Sequence, residues 1–199
     1  MPYDKFETLR STAYPLRQEN VDTDQIIPAR FLKAIERKDF DINFFRDWRF
    51  HPDGTVIEEF PLNKKIHKGS KILLAGRNFG SGSSREHAAW SVYDFGIRCV
   101  ISSRFADIFK NNCLNVGVLP VELSAEFISL IFKAIDKDPS TELTIDLSKQ
   151  KVTLMSSGHS EKFEISAYKK LNMKNGFDDI DYLKAMESDI TEFESKRLF

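Results

Sequence analysis

Between residues 70 and 102 the chain runs strand, loop, helix, strand, and that order limits the fold more than any other feature. "SKILLA" (70–75) is a continuous apolar run of the kind that makes a buried strand. "SREHAAWSVYDF" (84–95) places Ala88, Ala89, Val92 and Phe95 at helical spacing, and Gly96 follows as a C-terminal stop. "IRCVIS" (97–102) is the next strand. A strand–helix–strand unit of about 30 residues makes its two strands parallel. Between the first strand and the helix lies "GRNFGSGSS", with three glycines and three serines, more than an ordinary turn needs.

The unit then repeats in kind. "SRFADIFKNNCL" (103–114) reads as a second helix with Ser103 as its cap, "GVLPVEL" as a strand, and "SAEFISLIFKAIDKD" as a third helix ending near Pro139. From residue 142 to 166 apolar and polar residues alternate, as in antiparallel strands. Upstream, residues 11–17 read as a short strand and "NVDTDQIIPARFL" as a polar loop closing on an apolar segment, with Pro28 as a breaker. Residues 38–62 are an aromatic-rich insertion, expected to pack. Residues 178–199 read as one amphipathic C-terminal helix, with Ile180, Leu183, Met186, Ile190 and Phe193 on a stripe. The expectation is a single α/β domain over 1–199, with a small parallel sheet, an antiparallel layer and flanking helices.

The chain of 199 residues is long enough to bury a core. Its net charge of −1 gives no basic footprint for nucleic acid or an anionic membrane. No apolar run reaches the roughly 18 residues of a spanning helix, and the N-terminus lacks the layout of a signal peptide. A cytoplasmic protein is expected. Cys99 reads as a buried strand residue and Cys113 as a packed helix-end residue. They form no CxxC pair, and the histidines at 51, 67, 87 and 159 show no ligand spacing, so no metal site is expected in this chain.

The glycine loop has a structural reading. "SSRE" (83–86) has the spacing of a capping box, with Ser83 as cap and Glu86 reaching back, and Gly80 and Gly82 supply positive φ. That leaves Ser84 and Arg85 unexplained. A dinucleotide fingerprint fails because Arg85 stands at its third glycine; a P-loop lacks its Gly-Lys-Ser/Thr; a hydrolase elbow lacks G-x-S-x-G. What remains is a helix N-terminus with serine hydroxyls, backbone amides and an arginine, which suits a carboxylate or a phosphate. A serine alkoxide stabilised by amides, helix dipole and a cation is also a candidate base.

"NFGSGSSREHAAW" resembles the serine loop of the swivelling domain of the aconitase superfamily. "NVDTDQIIPARFL" resembles the segment that opens that domain, and "FFRDWRF", "SSRFADIFKNNCLNVGVLPV" and "MKNGFDDI" extend the resemblance in order, from about residue 10 to about residue 180. Within the superfamily the chain is similar to the small subunits of 3-isopropylmalate dehydratases. The resemblance implies an aconitase-type swivelling β/β/α domain. It implies a hydro-lyase of leucine biosynthesis, active only with a large subunit, that interconverts 2- and 3-isopropylmalate through 2-isopropylmaleate. It implies no cofactor in this chain and a 4Fe–4S cluster in the large-subunit partner.

Residue by residue, the resemblance gives Ser83 as the proton-abstracting base and Ser84 and Arg85 as groups that bind a substrate carboxylate. Arg30 stands where the family's substrate-selecting loop begins. Gly80, Gly82, His87 and Asp24 are supporting positions, His87 because it lies four residues after Ser83 on the same helix face. The sequence departs from the family with Ser81 where a cysteine is expected and with "DYLKAM" after "NGFDDI". Related small subunits act on homoaconitate, citraconate or methylmalate, and a non-enzymatic carboxylate-binding module is the alternative outside catalysis.

Overall fold

The structure, a computed structural model, describes residues 3–32, 40–82 and 85–196. The short strand expected over 11–17 is two strands in two sheets: β1 (Thr8–Ser11) and β2 (Ala13–Leu16). Thr12 marks the switch. Its hydroxyl bonds that of Ser70 at 2.7 Å, while the Ser11 hydroxyl accepts the Lys71 amide at 2.9 Å.

The apolar runs become one parallel sheet. β2, β3 (Ile72–Ala75), β4 (Cys99–Ser102) and β5 (Leu119–Glu122) lie side by side in that order. β3 and β4 are buried throughout, which is why both faces had to be apolar. The two-residue period sorts their side chains into two cores. Leu73, Ala75 and Val100 face one; Ile72, Leu74, Cys99 and Ile101 face the other. The second sheet is antiparallel, as the alternation from 142 onward indicates. β6 (Leu143–Asp146), β7 (Lys151–Leu154) and β8 (Ser160–Lys162) join β1 in the order β1-β6-β7-β8.

In chain order the described helices are α1 (Thr23–Ile26), α2 (Phe40–Asn43), α3 (Arg46–Arg49), α4 (Glu86–Asp94), α5 (Asp107–Asn115), α6 (Ala125–Lys137), α7 (Ala167–Asn175), α8 (Asp179–Ala185) and α9 (Glu187–Ser195). α6 starts where expected, with the Ser124 hydroxyl accepting the Phe127 amide at 3.2 Å. Its apolar face, including Phe127, Ile131 and Ile135, shares the second core with Leu143, Ile145 and Val152 of the antiparallel sheet. α4 stops before Gly96, whose φ of +100° is open to glycine at little cost.

Two helix expectations are corrected, and one helix is new. Ser103 does not cap α5. Phe79 and Phe105 form a parallel bridge, with the Phe79 amide on the Arg104 carbonyl and the Ala106 amide on the Phe79 carbonyl, so the helix begins only after Ala106. The single C-terminal helix is two, α8 and α9, meeting at Met186, and its apolar stripe faces solvent rather than a core. α7 was not anticipated. It buries only Asn172 and Met173, too little to print a helical period, although Ser166 caps it and Gly176 ends it at φ +72°.

The aromatic insertion packs, over its described residues 40–62. Phe40, Phe44, Phe45 and Phe60 are buried in the first core. Phe45 is the hub, with ring centroids 4.6 Å from Phe44, 5.2 Å from Trp48, 5.8 Å from Phe60 and 6.4 Å from Phe79 of the glycine loop. Arg49 ties the segment down through the carbonyls of Asp41 and Phe44 and the side chain of Asn63.

Phe45→Ala removes the shared contact of insertion and loop and is expected to cost about 3–5 kcal/mol in urea unfolding; a loss below about 1 kcal/mol contradicts the hub role. Cys99 and Cys113 are buried, and burial pushes both thiols well above their ordinary range. Neither is expected to react with a thiol-specific reagent at neutral pH until the chain unfolds.

Candidate active site

β3 ends at Ala75, and the chain leaves the C-terminal edge of the parallel sheet, the edge where open α/β sheets bind ligands. Gly76 turns first. Its amide donates to the Leu16 carbonyl at 2.9 Å, and a Cβ there would lie 2.3 Å from the carbonyl oxygen of Gln18. The loop then runs against residues 20–23. The Asn20 amide donates to the Arg77 carbonyl at 2.8 Å, and the Val21 carbonyl accepts the amides of Gly80 and Ser81 at 2.8 and 3.1 Å. The Thr23 amide returns to the Ser81 carbonyl at 2.9 Å. Beneath the loop, Phe79 is fully buried and packs edge-on to Phe109 of α5, 5.3 Å between centroids.

The partner segment is a helical turn, not the expected polar loop. Asp22 caps α1: its carboxylate accepts the Gln25 amide at 2.8 Å, and the Gln25 side chain accepts the Asp22 amide at 2.9 Å. The reciprocal D-x-x-Q pair was legible in "DTDQ" as a capping box. The turn buries Thr23 and presents Asp24, whose carboxylate pairs with the guanidinium of Arg85. Arg85 keeps only 17% of its side chain exposed, against 54% for Asp24, so the carboxylate holds the guanidinium from the solvent side.

Gly80, Gly82 and Arg85 line a cavity of about 210 Å³ together with Thr23 and residues 106–109 at the start of α5. Gly80 and Gly82 both have the expected positive φ, +79° and +87°. Gly80 has a second reason to be glycine: a Cβ would lie 2.2 Å from the Phe109 ring. Ser83 and Ser84 lie outside the described residues, on the chain between the two cavity-lining positions Gly82 and Arg85. α4 begins at Glu86 with Arg85 in the cap position; the capping role expected of Ser83 lies outside the described residues. α5 has no side-chain cap. Two helix N-termini and one guanidinium therefore border one small volume, a setting for an anion.

The other expected positions lie apart from the cavity lining. His87 is half-buried among aromatics, 4.7 Å from the Trp90 ring and 5.6 Å from Phe40. Arg30 sits on the 3-10 turn Ala29–Phe31, bound to Asp47 and stacked over Phe31 at 4.6 Å. That pair holds the Asp47 carboxyl below its ordinary range. The reading of the sequence missed the start of α5 as a cavity wall; Asp107 in its first turn was the available signal. Among the described residues no three His, Cys, Asp or Glu side chains form a metal-binding group, and no helix is long and apolar enough to cross a membrane.

Comparison with known proteins agrees with this architecture. Residues 3–126 match the model of the aconitase C-terminal domain, and residues 129–167 match the model described as LeuD_N. A 3-isopropylmalate dehydratase small subunit from Christiangramia forsetii is 55% identical over 98% of this chain and 94% of its own length. One from Brevibacillus brevis is 47% identical over 92% of this chain and 94% of its own. A crystal structure of 3-isopropylmalate dehydratase from Methanocaldococcus jannaschii superposes with a TM-score of 0.68 at 26% identity, covering 94% of this chain and 99% of that one.

Gly80→Ala combines an unfavourable φ with overpacking against Phe109. It is expected to cost about 2–4 kcal/mol in denaturant unfolding. Gly54→Ala, at a similar φ but with nothing within 4 Å of the new Cβ, is expected to cost less than half of that. Equal costs at the two positions contradict the close packing of the loop.

Proposed function

The chain belongs to the family of 3-isopropylmalate dehydratase small subunits, and on that footing we propose that it is the base-carrying half of a two-subunit hydro-lyase. The pairing of Arg85 with Asp24 on the wall of the loop cavity carries this reading. A guanidinium held from the solvent side keeps its remaining donors for a planar carboxylate. Arg85 and Ser84 anchor one carboxylate of the substrate, and Ser83 takes the proton from the neighbouring carbon. Ser83 acts as its alkoxide, which amides at the start of α4 and the Arg85 charge stabilise, and the proton it takes from carbon restores its hydroxyl.

The cavity supports a shared site. Its 210 Å³ falls below the roughly 300–1,000 Å³ of a self-sufficient small-molecule pocket. The large subunit supplies the other wall. The 4Fe–4S cluster of this family belongs there and, when bound, acts as a Lewis acid on the hydroxyl that leaves. The donor set of this chain does not fit a cluster, because both thiols are buried in the two cores. The substrate in this reading is 2-isopropylmalate, isomerised through 2-isopropylmaleate in leucine biosynthesis in the cytoplasm.

With its large subunit, Ser83→Ala is expected to lower kcat by about 10²–10⁴-fold while assembly and KM change little. Near-normal turnover contradicts the base assignment. Arg85→Lys keeps the charge but loses the planar fork, and is expected to lower kcat/KM by about 100-fold. A change confined to stability, with kcat/KM intact, assigns Arg85 a structural role instead.

A further inference from the structure

The end of the parallel sheet opposite the glycine loop carries two surfaces that the reaction does not use. The first is a groove of about 580 Å³ where residues 69–71 lead into β3 and Gly96 leads towards β4. Its floor includes the half-buried rings of Phe50 and Phe95, and its rim carries the exposed Lys64, Lys65, Lys68 and Lys71. Arg49 enters from the side. Its hydrogen bonds go to the side-chain oxygen of Asn63 and to the carbonyls of Asp41 and Phe44, and its guanidinium lies over the rings of Phe50 and Phe95. Glu58 is the single carboxylate in the lining.

The second surface is the pair α8 and α9. Ile180, Leu183 and Ile190 are 63%, 57% and 43% exposed, and α9 buries no residue. A helix of nine residues that buries none of them is marginal in water, so an apolar surface to lie on would stabilise α9. Its charges are mostly acidic: Glu187, Asp189, Glu192 and Glu194 against Lys196. Groove and helix are therefore opposite in sign and alike in having an apolar centre.

The start of α8 and the groove rim also share one end of the molecule. The Tyr3 amide donates to the Gly176 carbonyl, just before α8, and Asp4 lies 3.9 Å from Arg98. The Arg98 amide in turn donates to the carbonyl of Lys71 on the groove rim at 2.8 Å. Two complementary patches on one end meet each other twice when a second copy is rotated by a two-fold axis.

We propose that two copies of this chain pair end to end, the α9 helix of each lying in the lysine-rimmed groove of the other. A helix lies in such a groove through residues three or four apart on one face, and charge fixes its direction. The paired end lies away from Arg85 and the loop cavity, so pairing leaves the substrate-facing end free for the large subunit.

Sedimentation velocity of the full chain over a range of concentration and salt tests the proposal. The expected result is a reversible dimer that weakens as salt rises. A Lys64→Glu, Lys65→Glu, Lys68→Glu variant and a Glu187→Lys, Glu192→Lys variant are each expected to raise the dimer dissociation constant by about tenfold or more, with far-UV circular dichroism unchanged. Mixing the two variants is expected to restore pairing, because the reversed charges again match. Ile190→Asp provides a route that does not reverse the groove, with the same expected loss. A wild-type chain that stays monomeric at every concentration overturns the proposal. So does failure of the mixed variants to pair, and so does a groove variant that still dimerises but no longer assembles with the large subunit.

Discussion

The carbonyl of Val21 is the point on which the site depends. It accepts two consecutive amides of the glycine loop, Gly80 and Ser81, and the Thr23 amide returns the contact through Ser81. These bonds tie together two segments almost 60 residues apart, so the loop is fixed by α1 rather than left as a surface turn. The tie works only because Gly80 has no side chain: Phe109 occupies the space a Cβ would take. Backbone bonds from one side and an aromatic ring from the other bring the loop over the sheet edge with Gly82 and Arg85 on the cavity wall.

That lock has a foundation in the aromatic insertion. Phe79 lies between Phe45 of the insertion and Phe105 and Phe109 around α5, so one buried ring joins the packing of three segments. The parallel sheet divides the apolar side chains into two cores by simple alternation. The antiparallel sheet and α6 belong to the second core, away from the site. The cavity wall and the aliphatic core are thus separated: residues around Arg85 are positioned from the first core, while much of the buried aliphatic surface lies behind the sheet.

Where the physics was local and strong, the residues declared the structure. The apolar runs of β3 and β4 and the helical spacing of α4 and α6 lead directly to parallel pairing, because nothing else buries both faces. Gly80, Gly82 and Arg85 stood out because their number and type exceed what a turn requires, and the structure brings these three to one cavity wall, with Asp24 paired to Arg85. Other features depend on tertiary contacts that no short window contains. Thr12 ends one sheet and starts another through its bond to Ser70. Ser103 loses its cap role to a bridge between Phe79 and Phe105. His87 is drawn into an aromatic cluster, and Arg30 pairs with Asp47 of the insertion. The break at Met186 carries no glycine or proline, so an apolar stripe read as continuous there.

The central claim is that this loop completes an active site whose other wall belongs to a partner chain. Its most direct test follows the ultraviolet absorbance of the unsaturated intermediate after 3-isopropylmalate is added, anaerobically, to the chain alone, to its large subunit alone, and to both together, with citraconate and homoaconitate as competing acids. The account predicts no signal from either chain alone and a rise from the pair that is largest with 3-isopropylmalate. Full activity from the large subunit alone, or no signal from a pair with an intact cluster, contradicts it.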